Sequence, residues 1–165
     1  MPDRKDTDAT HILADDHRTV EDLFAKFENA SGRDRKEEIA RKICEELKIH
    51  AMVEEEIFYP AIKGKIEDDL LKEAYVEHDG AKVLINEIEA GGPDEEFYDA
   101  KVKVLKEQIE HHVKEEEKMN DNMFQQARAA DVDLDAIGQQ MLSRKEELKQ
   151  RAEAGGLPPA ETATM

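Results

Sequence analysis

Six polar residues occupy positions where helical periodicity predicts apolar ones: His17, His50, Glu54, His78, His112 and Glu116. A charge that is buried without a partner is very costly, so this set needs something that satisfies it in common. Imidazole nitrogen and carboxylate oxygen are both ligands of first-row metals. The sequence therefore predicts a buried metal centre.

The apolar stripe of each predicted helix passes through these residues without a change of register, in alternating steps of three and four. In the first helix the stripe is Leu13, His17, Val20, Phe24 and Phe27. In the second it is Ile43, Leu47, His50, Glu54, Ile57 and Ala61. In the third it is Leu71, Ala74, His78, Ala81, Ile85 and Ile88. In the fourth it is Tyr98, Val102, Leu105, Ile109, His112, Glu116 and Met119.

Two adjacent histidines compete for the position in the fourth helix, because each is followed four residues later by a glutamate. The stripe passes through His112, so we assign His112 and treat His111 as a surface or supporting residue. A fifth nitrogen ligand from His11 or His111, and a contribution from Glu77, are left open.

Five helical segments must position these residues, at about 8–28, 34–63, 67–89, 94–118 and 133–152. Gly64 and the run Gly91-Gly92-Pro93 are stop signals. Short connections favour antiparallel neighbours. We therefore predict an all-α fold, an up-down-up-down four-helix bundle with an additional C-terminal helix. Residues 1–153 form the predicted domain, and residues 154–165 are predicted to be a disordered tail.

Composition excludes several classes of function. The 165-residue chain carries a formal net charge of -17, which argues against binding nucleic acid or anionic lipid. The sequence has no apolar segment of transmembrane length and no secretory signal, and Cys44 is its single cysteine. A cytoplasmic protein is expected, with no membrane or nucleic-acid partner, and the sequence does not indicate a protein partner.

Six ligands exceed the four that one structural zinc needs. Two octahedral metals offer about twelve positions, of which four histidines and two bridging glutamates fill about eight. The remaining positions leave room for an oxo or hydroxo bridge and for a small exogenous ligand such as O2 or NO. This arithmetic favours two iron ions in a non-haem di-iron centre.

The residues also resemble the hemerythrin-like family, or HHE cation-binding domain, over about residues 9–148. The resemblance rests on Asp16-His17, on the stretch from His50 to Pro60, on Glu77-His78, and on His112 to Glu116. It implies a di-iron four-helix bundle, with the four stripe histidines as terminal ligands and Glu54 and Glu116 as bridging carboxylates.

The family's roles include binding or sensing of O2 or NO, and such binding is the function we expect here. The alternatives are a di-iron enzyme that consumes peroxide or NO, and an iron-handling protein. Oxygen carriers of the family have a fifth histidine one turn away in the third helix, where this chain has Ala74 and Lys82. No additional acid or base is evident in the stripe, so the sequence favours a binding protein over an enzyme.

Overall fold

The computed structural model describes residues 7–165, so the first six residues of the predicted domain lie outside the described part. Seven α-helices follow one another: α1 Ala9–Asn29, α2 Arg33–Val53, α3 Tyr59–Ile62, α4 Asp68–Gly91, α5 Tyr98–Val113, α6 Met123–Ala129 and α7 Leu134–Gly155. Two five-residue π-helical turns, π1 Glu54–Phe58 and π2 Lys114–Lys118, extend α2 and α5 without a break.

Four long elements form the bundle: α1, α2 with π1 and α3, α4, and α5 with π2. α1 packs on α2, α2 on α4, α4 on α5, and α5 on α1, which closes the bundle. α7 lies outside it against α1 and α2. The predicted all-α four-helix bundle with an additional C-terminal helix is confirmed.

Helix ends agree with local chemistry in most places. Asp8 caps α1 and Asp133 caps α7 by accepting hydrogen bonds from backbone N–H groups of the first turn. The fourth bundle helix begins later than expected, because residues 93–97 form turns and Asp94 pairs with Arg33 at 2.6 Å instead of capping the helix.

The π1 turn changes the predicted stripe. It inserts one residue, so Phe58 and Ile62 are fully buried where the periodicity predicted Ile57 and Ala61. Pro60 lies at the start of α3 and has no N–H to continue regular α-helical bonding from the turn before it. π turns of this kind are frequent at functional sites.

Buried apolar side chains form two clusters. One contains Leu13, Val53, Phe58, Leu71 and Phe124, and the other contains Val20, Leu47, Ile85 and Leu105. The six polar stripe residues lie between these clusters along every bundle helix. None of the described helices has the length and apolar character needed to cross a bilayer.

The structure differs from the sequence-based expectation for the tail. α7 continues to Gly155, and residues 157–164 run along α4 as an extended segment. Side chains of α4 bond to its backbone N–H and C=O groups, a pairing that composition alone does not reveal.

Candidate metal centre

The structure brings all six predicted site residues together. Each is buried, with exposed fractions between 0 and 6%. Their functional atoms fall into two groups of three, within 4.8 Å of one another in each group: His17, His50 and Glu116 in one, and Glu54, His78 and His112 in the other. The three members of each group come from three different bundle elements, so the tertiary fold assembles both groups.

The histidines direct their Nε2 atoms toward the interior of the centre. Nε2 of His50 lies 2.9 Å and Nε2 of His78 lies 3.2 Å from Oε1 of Glu54. Glu116 lies 3.2 Å from Nε2 of both His17 and His112. The Nε2 atoms of His78 and His112 face each other at 3.2 Å. Lone pairs thus converge from several directions, as a metal site requires.

Six buried polar atoms of the described residues have no well-aligned hydrogen-bond partner: both ring nitrogens of His17, Nε2 of His50, both carboxylate oxygens of Glu54, and Oε1 of Glu116. All of them belong to the predicted ligand set. Buried polar groups in native proteins are rarely left in this state. Cation binding is the chemistry that would satisfy these orphaned atoms together, so the residues present fit a metal.

A ring of four carboxylates surrounds the histidines. Each accepts from, or faces, the outward Nδ1 of one histidine: Asp16 to His50 at 2.8 Å, Glu55 to His78 at 2.7 Å, Glu77 to His112 at 2.8 Å, and Glu117 to His17 at 3.5 Å. A carboxylate at Nδ1 fixes the ring orientation and leaves Nε2 available to a metal.

This carboxylate ring follows a rule in the sequence. Each acid directly precedes or follows a predicted ligand in the chain. Its carboxylate faces the histidine of the next bundle element, so that an acid of α1 faces α2, one of π1 faces α4, one of α4 faces α5, and one of π2 faces α1. Periodicity alone predicts Glu55 and Glu117 to be flanking charges. Their adjacency to Glu54 and Glu116 was the available signal.

A third layer of cationic or proton-bearing side chains contacts the carboxylate ring. Lys145 of α7 pairs with Asp16, Lys82 with Glu55 at 2.9 Å, His111 with Glu77 at 3.2 Å, and Arg18 with Glu117. The additional helix α7, which has no predicted ligand, thus contacts the support of His50. His111, 62% exposed, belongs to this outer layer, as its register predicted.

Electrostatic coupling shifts the pKa values inside the centre. Burial alone would lower the pKa of His50, but the charge of Glu54 and the hydrogen bond to Asp16 outweigh it and raise that pKa to about 10. The pKa values of His17 and His112 are also raised, since neighbouring glutamates outweigh burial. Burial would raise the pKa of Glu54, but the histidines hold it well below its usual value.

One functional side chain was missed by the sequence analysis. Tyr59 is fully buried, and its hydroxyl donates to Oε2 of Glu116 at 2.7 Å. The hydroxyl oxygen of Tyr59 also lies 3.3 Å from Nε2 of His78 and 3.4 Å from Nε2 of His112. Burial, together with the charges of Glu116 and Glu54, raises the pKa of Tyr59 well above its usual value. Tyr59 is therefore a protonated donor at neutral pH.

The remaining candidates lie outside the two groups. His11 contacts Asp15 at 3.4 Å on α1, and Glu77 belongs to the carboxylate ring. A third set of facing atoms, from Glu77, His111 and Glu115, is more exposed than the two buried groups.

Known proteins share this architecture. The structure of a hemerythrin HHE cation binding domain-containing protein from Mycobacterium kansasii superposes with a TM-score of 0.74 at 22% identity, over 89% of this chain and 90% of that one. At that identity the likeness shows the fold.

A DNA nickase from Nostoc sp. (strain PCC 7120 / SAG 25.82 / UTEX 2576) is 27% identical over 115 residues. The match covers 70% of this chain, which spans only 33% of the length of that relative. The family model for the hemerythrin HHE cation binding domain matches residues 8–120, more than half of the chain. The buried histidine and glutamate groups lie on the four bundle helices, and the chain belongs to the hemerythrin HHE cation binding domain family.

Proposed function

We propose that this chain holds two iron ions in a non-haem di-iron centre that binds O2 or NO. One observation carries the proposal: six buried side chains of metal-ligating types converge in two groups of three, and several of their polar atoms have no well-aligned hydrogen-bond partner. Two groups accommodate two cations, and a mixed nitrogen and oxygen donor set without thiolate suits iron.

In this proposal His17, His50, His78 and His112 are terminal ligands, and Glu54 and Glu116 bridge the two irons. Both glutamates face histidines of more than one element, as bridging carboxylates must. When bound, the irons would supply redox chemistry and an open coordination position for the diatomic ligand.

The chain's own residues orient the ligands and exclude water. The carboxylate ring bonds to Nδ1 of three of the imidazoles and faces Nδ1 of His17, which keeps the Nε2 atoms directed toward the interior. The two apolar clusters lie on either side of the six predicted ligands along the bundle. Their apolar side chains lower the local dielectric constant, which strengthens the charge interactions among those six residues. Tyr59 keeps a hydroxyl proton beside Glu116, where it stabilises the carboxylate.

Metal analysis and spectroscopy test this function. Protein purified after growth with iron should contain about two irons per chain, the number that two octahedral sites require. It should show a near-ultraviolet charge-transfer band that changes with azide. Zinc as the only bound metal, even after anaerobic iron loading, would contradict the di-iron proposal.

A second candidate function is a di-iron enzyme that consumes peroxide. The observation that favours it is Tyr59, a buried proton donor within 3.4 Å of two ligand histidines, since proton transfer to a reacting oxygen needs a donor within hydrogen-bond reach. Stopped-flow mixing of the reduced protein separates the two: a stable adduct with O2 supports binding, and rapid multiple turnover with peroxide supports the enzyme.

Action on DNA is not part of the proposal. The word nickase describes a relative of which this chain matches a third of the length. A net charge of -17 repels the phosphate backbone, whose binding depends on lysine and arginine contacts.

A further inference from the structure

An apolar cavity of about 330 Å³ adjoins the metal centre. The rings of the four ligand histidines border one side of it. Its apolar lining comes from all four bundle elements: Val20, Leu47, Ala81, Ile85, Ile109 and Val113. This cavity, here named the chamber, extends between α2 and α4 to the surface. An engineered apolar cavity of about 150 Å³ is known to bind benzene, so the chamber exceeds what a diatomic ligand needs.

The C-terminal tail forms the outer wall of the chamber, with residues 158–161 in contact with it. Asn86 of α4 bonds to both backbone groups of Ala160, its amide N donating at 2.9 Å and its amide O accepting at 2.8 Å. Asp79 accepts the backbone N–H groups of Ala163 and Thr164, each at 2.7 Å. Seven residues separate Asp79 from Asn86, so one face of α4 binds the tail over two turns.

Two buried lysines contact backbone carbonyl groups of the tail. Lys82 donates to the carbonyl of Glu161 at 2.8 Å, and Lys48 lies 3.5 Å from the carbonyl of Leu157. Lys82 also pairs with Glu55 at 2.9 Å, and Glu55 in turn holds Nδ1 of His78. The tail is thus connected by hydrogen bonds to a predicted metal ligand.

The charged side chains that the bundle contributes to the chamber are paired within the protein. Lys48 pairs with Glu89, Lys82 with Glu55, Glu56 with Arg144, and Asp16 with Lys145. A charged ligand would have to break such a pair or enter an apolar space without a counter-ion, and both are costly. An uncharged apolar molecule breaks no ion pair by entering, and its surface leaves water for an apolar wall.

We propose that the chamber is a binding site for a small uncharged apolar organic molecule, with the C-terminal tail as the wall that retains it beside the metal centre. The proposal goes beyond the binding of O2 or NO, since it concerns a second ligand in a separate space. Its failure is distinguishable from that of the di-iron proposal, because iron content and the azide response are measured on protein to which neither xenon nor benzene has been added.

Xenon and benzene are the probes for full-length, metal-loaded protein. Crystals pressurised with xenon or soaked in benzene should show the probe against Val20, Ile85 and Ile109. In solution, saturating benzene should raise Tm, because a ligand that binds only the folded state stabilises it. Absence of density in the chamber together with an unchanged Tm would overturn the proposal.

Variants test the two walls separately. Ala81→Phe fills the chamber and should abolish the benzene-dependent rise in Tm, whereas Val104→Phe, on an exposed position of α5 outside the chamber, should retain it. A chain ended at Gly156, and the milder Asn86→Ala, should reduce the rise. Where Ala81→Phe does not fold, these two variants decide, and an undiminished rise in both contradicts the role of the tail.

Discussion

The hydroxyl of Tyr59 donates a hydrogen bond to Oε2 of Glu116 at 2.7 Å, inside the layer of six buried residues that are predicted as ligands. Tyr59 belongs to α3, Glu116 to the π2 turn, so the bond connects two bundle helices that are distant in sequence. Both π turns occur immediately beside predicted ligands: Glu54 begins π1, and Glu116 is the central residue of π2. Glu54 and Glu116 stay on the regular stripe, whereas the extra residue of π1 shifts the residues that follow it, which include the fully buried Tyr59.

Replacing Tyr59 by phenylalanine should lower the free energy of unfolding by about 2 kcal/mol, because a hydrogen bond to a buried charged group is lost while the ring remains. Urea denaturation measures the change. Tyr75→Phe is the matched control, since the Tyr75 ring packs against Tyr59 at 5.2 Å but does not reach the ligand layer. An equal fall in the free energy of unfolding in both variants would show that the hydrogen bond to Glu116 contributes no measurable stability.

Asp16 connects the metal centre to the additional helix, because it accepts from Nδ1 of His50 and pairs with Lys145 of α7. Asp16→Asn should weaken metal binding by about 10- to 100-fold, the usual cost of losing a carboxylate behind a ligating histidine. Competition with a chromophoric chelator gives the affinity.

The neighbouring Asp15→Asn is the matched control for this measurement, since Asp15 is exposed on the same helix. Lys145→Met should have an intermediate effect, because Asp16 and His50 remain in contact. An unchanged affinity in Asp16→Asn would mean that packing alone orients His50.

Periodicity was sufficient for the fold and for the six inner residues, because burial against two apolar clusters enforces a regular stripe. It failed at Ile57 and Met119, which follow the start of the π turns; Met119 is 47% exposed. A π turn adds a residue, and no propensity scale marks where that occurs. The carboxylate ring was missed for a different reason: on so acidic a chain, Glu55 and Glu56 look alike until the adjacent helix is in place.

Register is tested by comparing two histidines of opposite exposure, the buried His50 of α2 and the exposed His111 of α5. His50→Ala removes a buried ligand and should lose much of the iron, whereas His111→Ala removes an exposed residue that contacts Glu77 and Glu115 and should retain it. Iron per chain, measured by atomic emission, decides between them. Greater loss in His111→Ala would place the ligand stripe of α5 one residue earlier.

Metal uptake should release protons. In the metal-free protein the pKa of His50 is raised to about 10, so the imidazole is protonated at pH 7 and must lose that proton before Nε2 can bind a metal. The apparent metal affinity should therefore rise as pH increases from 6 toward about 10. Titration of the metal-free protein with Fe(II) in weakly buffered solution under argon measures the protons directly. An affinity that does not depend on pH would mean that His50 is neutral before metal binds.

Close packing of α7 against the backbone of Thr7 leaves no room for a side chain at Gly138. A Cβ at this position would lie 1.5 Å from the carbonyl oxygen of Thr7, and backbone cannot yield as a flexible side chain can. Gly138→Ala should cost about 1–3 kcal/mol of stability, the range for overpacking a close contact. Gly155→Ala, near the end of the same helix with nothing within 4 Å of its Cβ, should instead be neutral or stabilise by up to about 1 kcal/mol. Thermal unfolding should therefore show a lower Tm for Gly138→Ala and an equal or higher Tm for Gly155→Ala. An equal change in Tm for both variants would contradict the packing of α7 against Thr7.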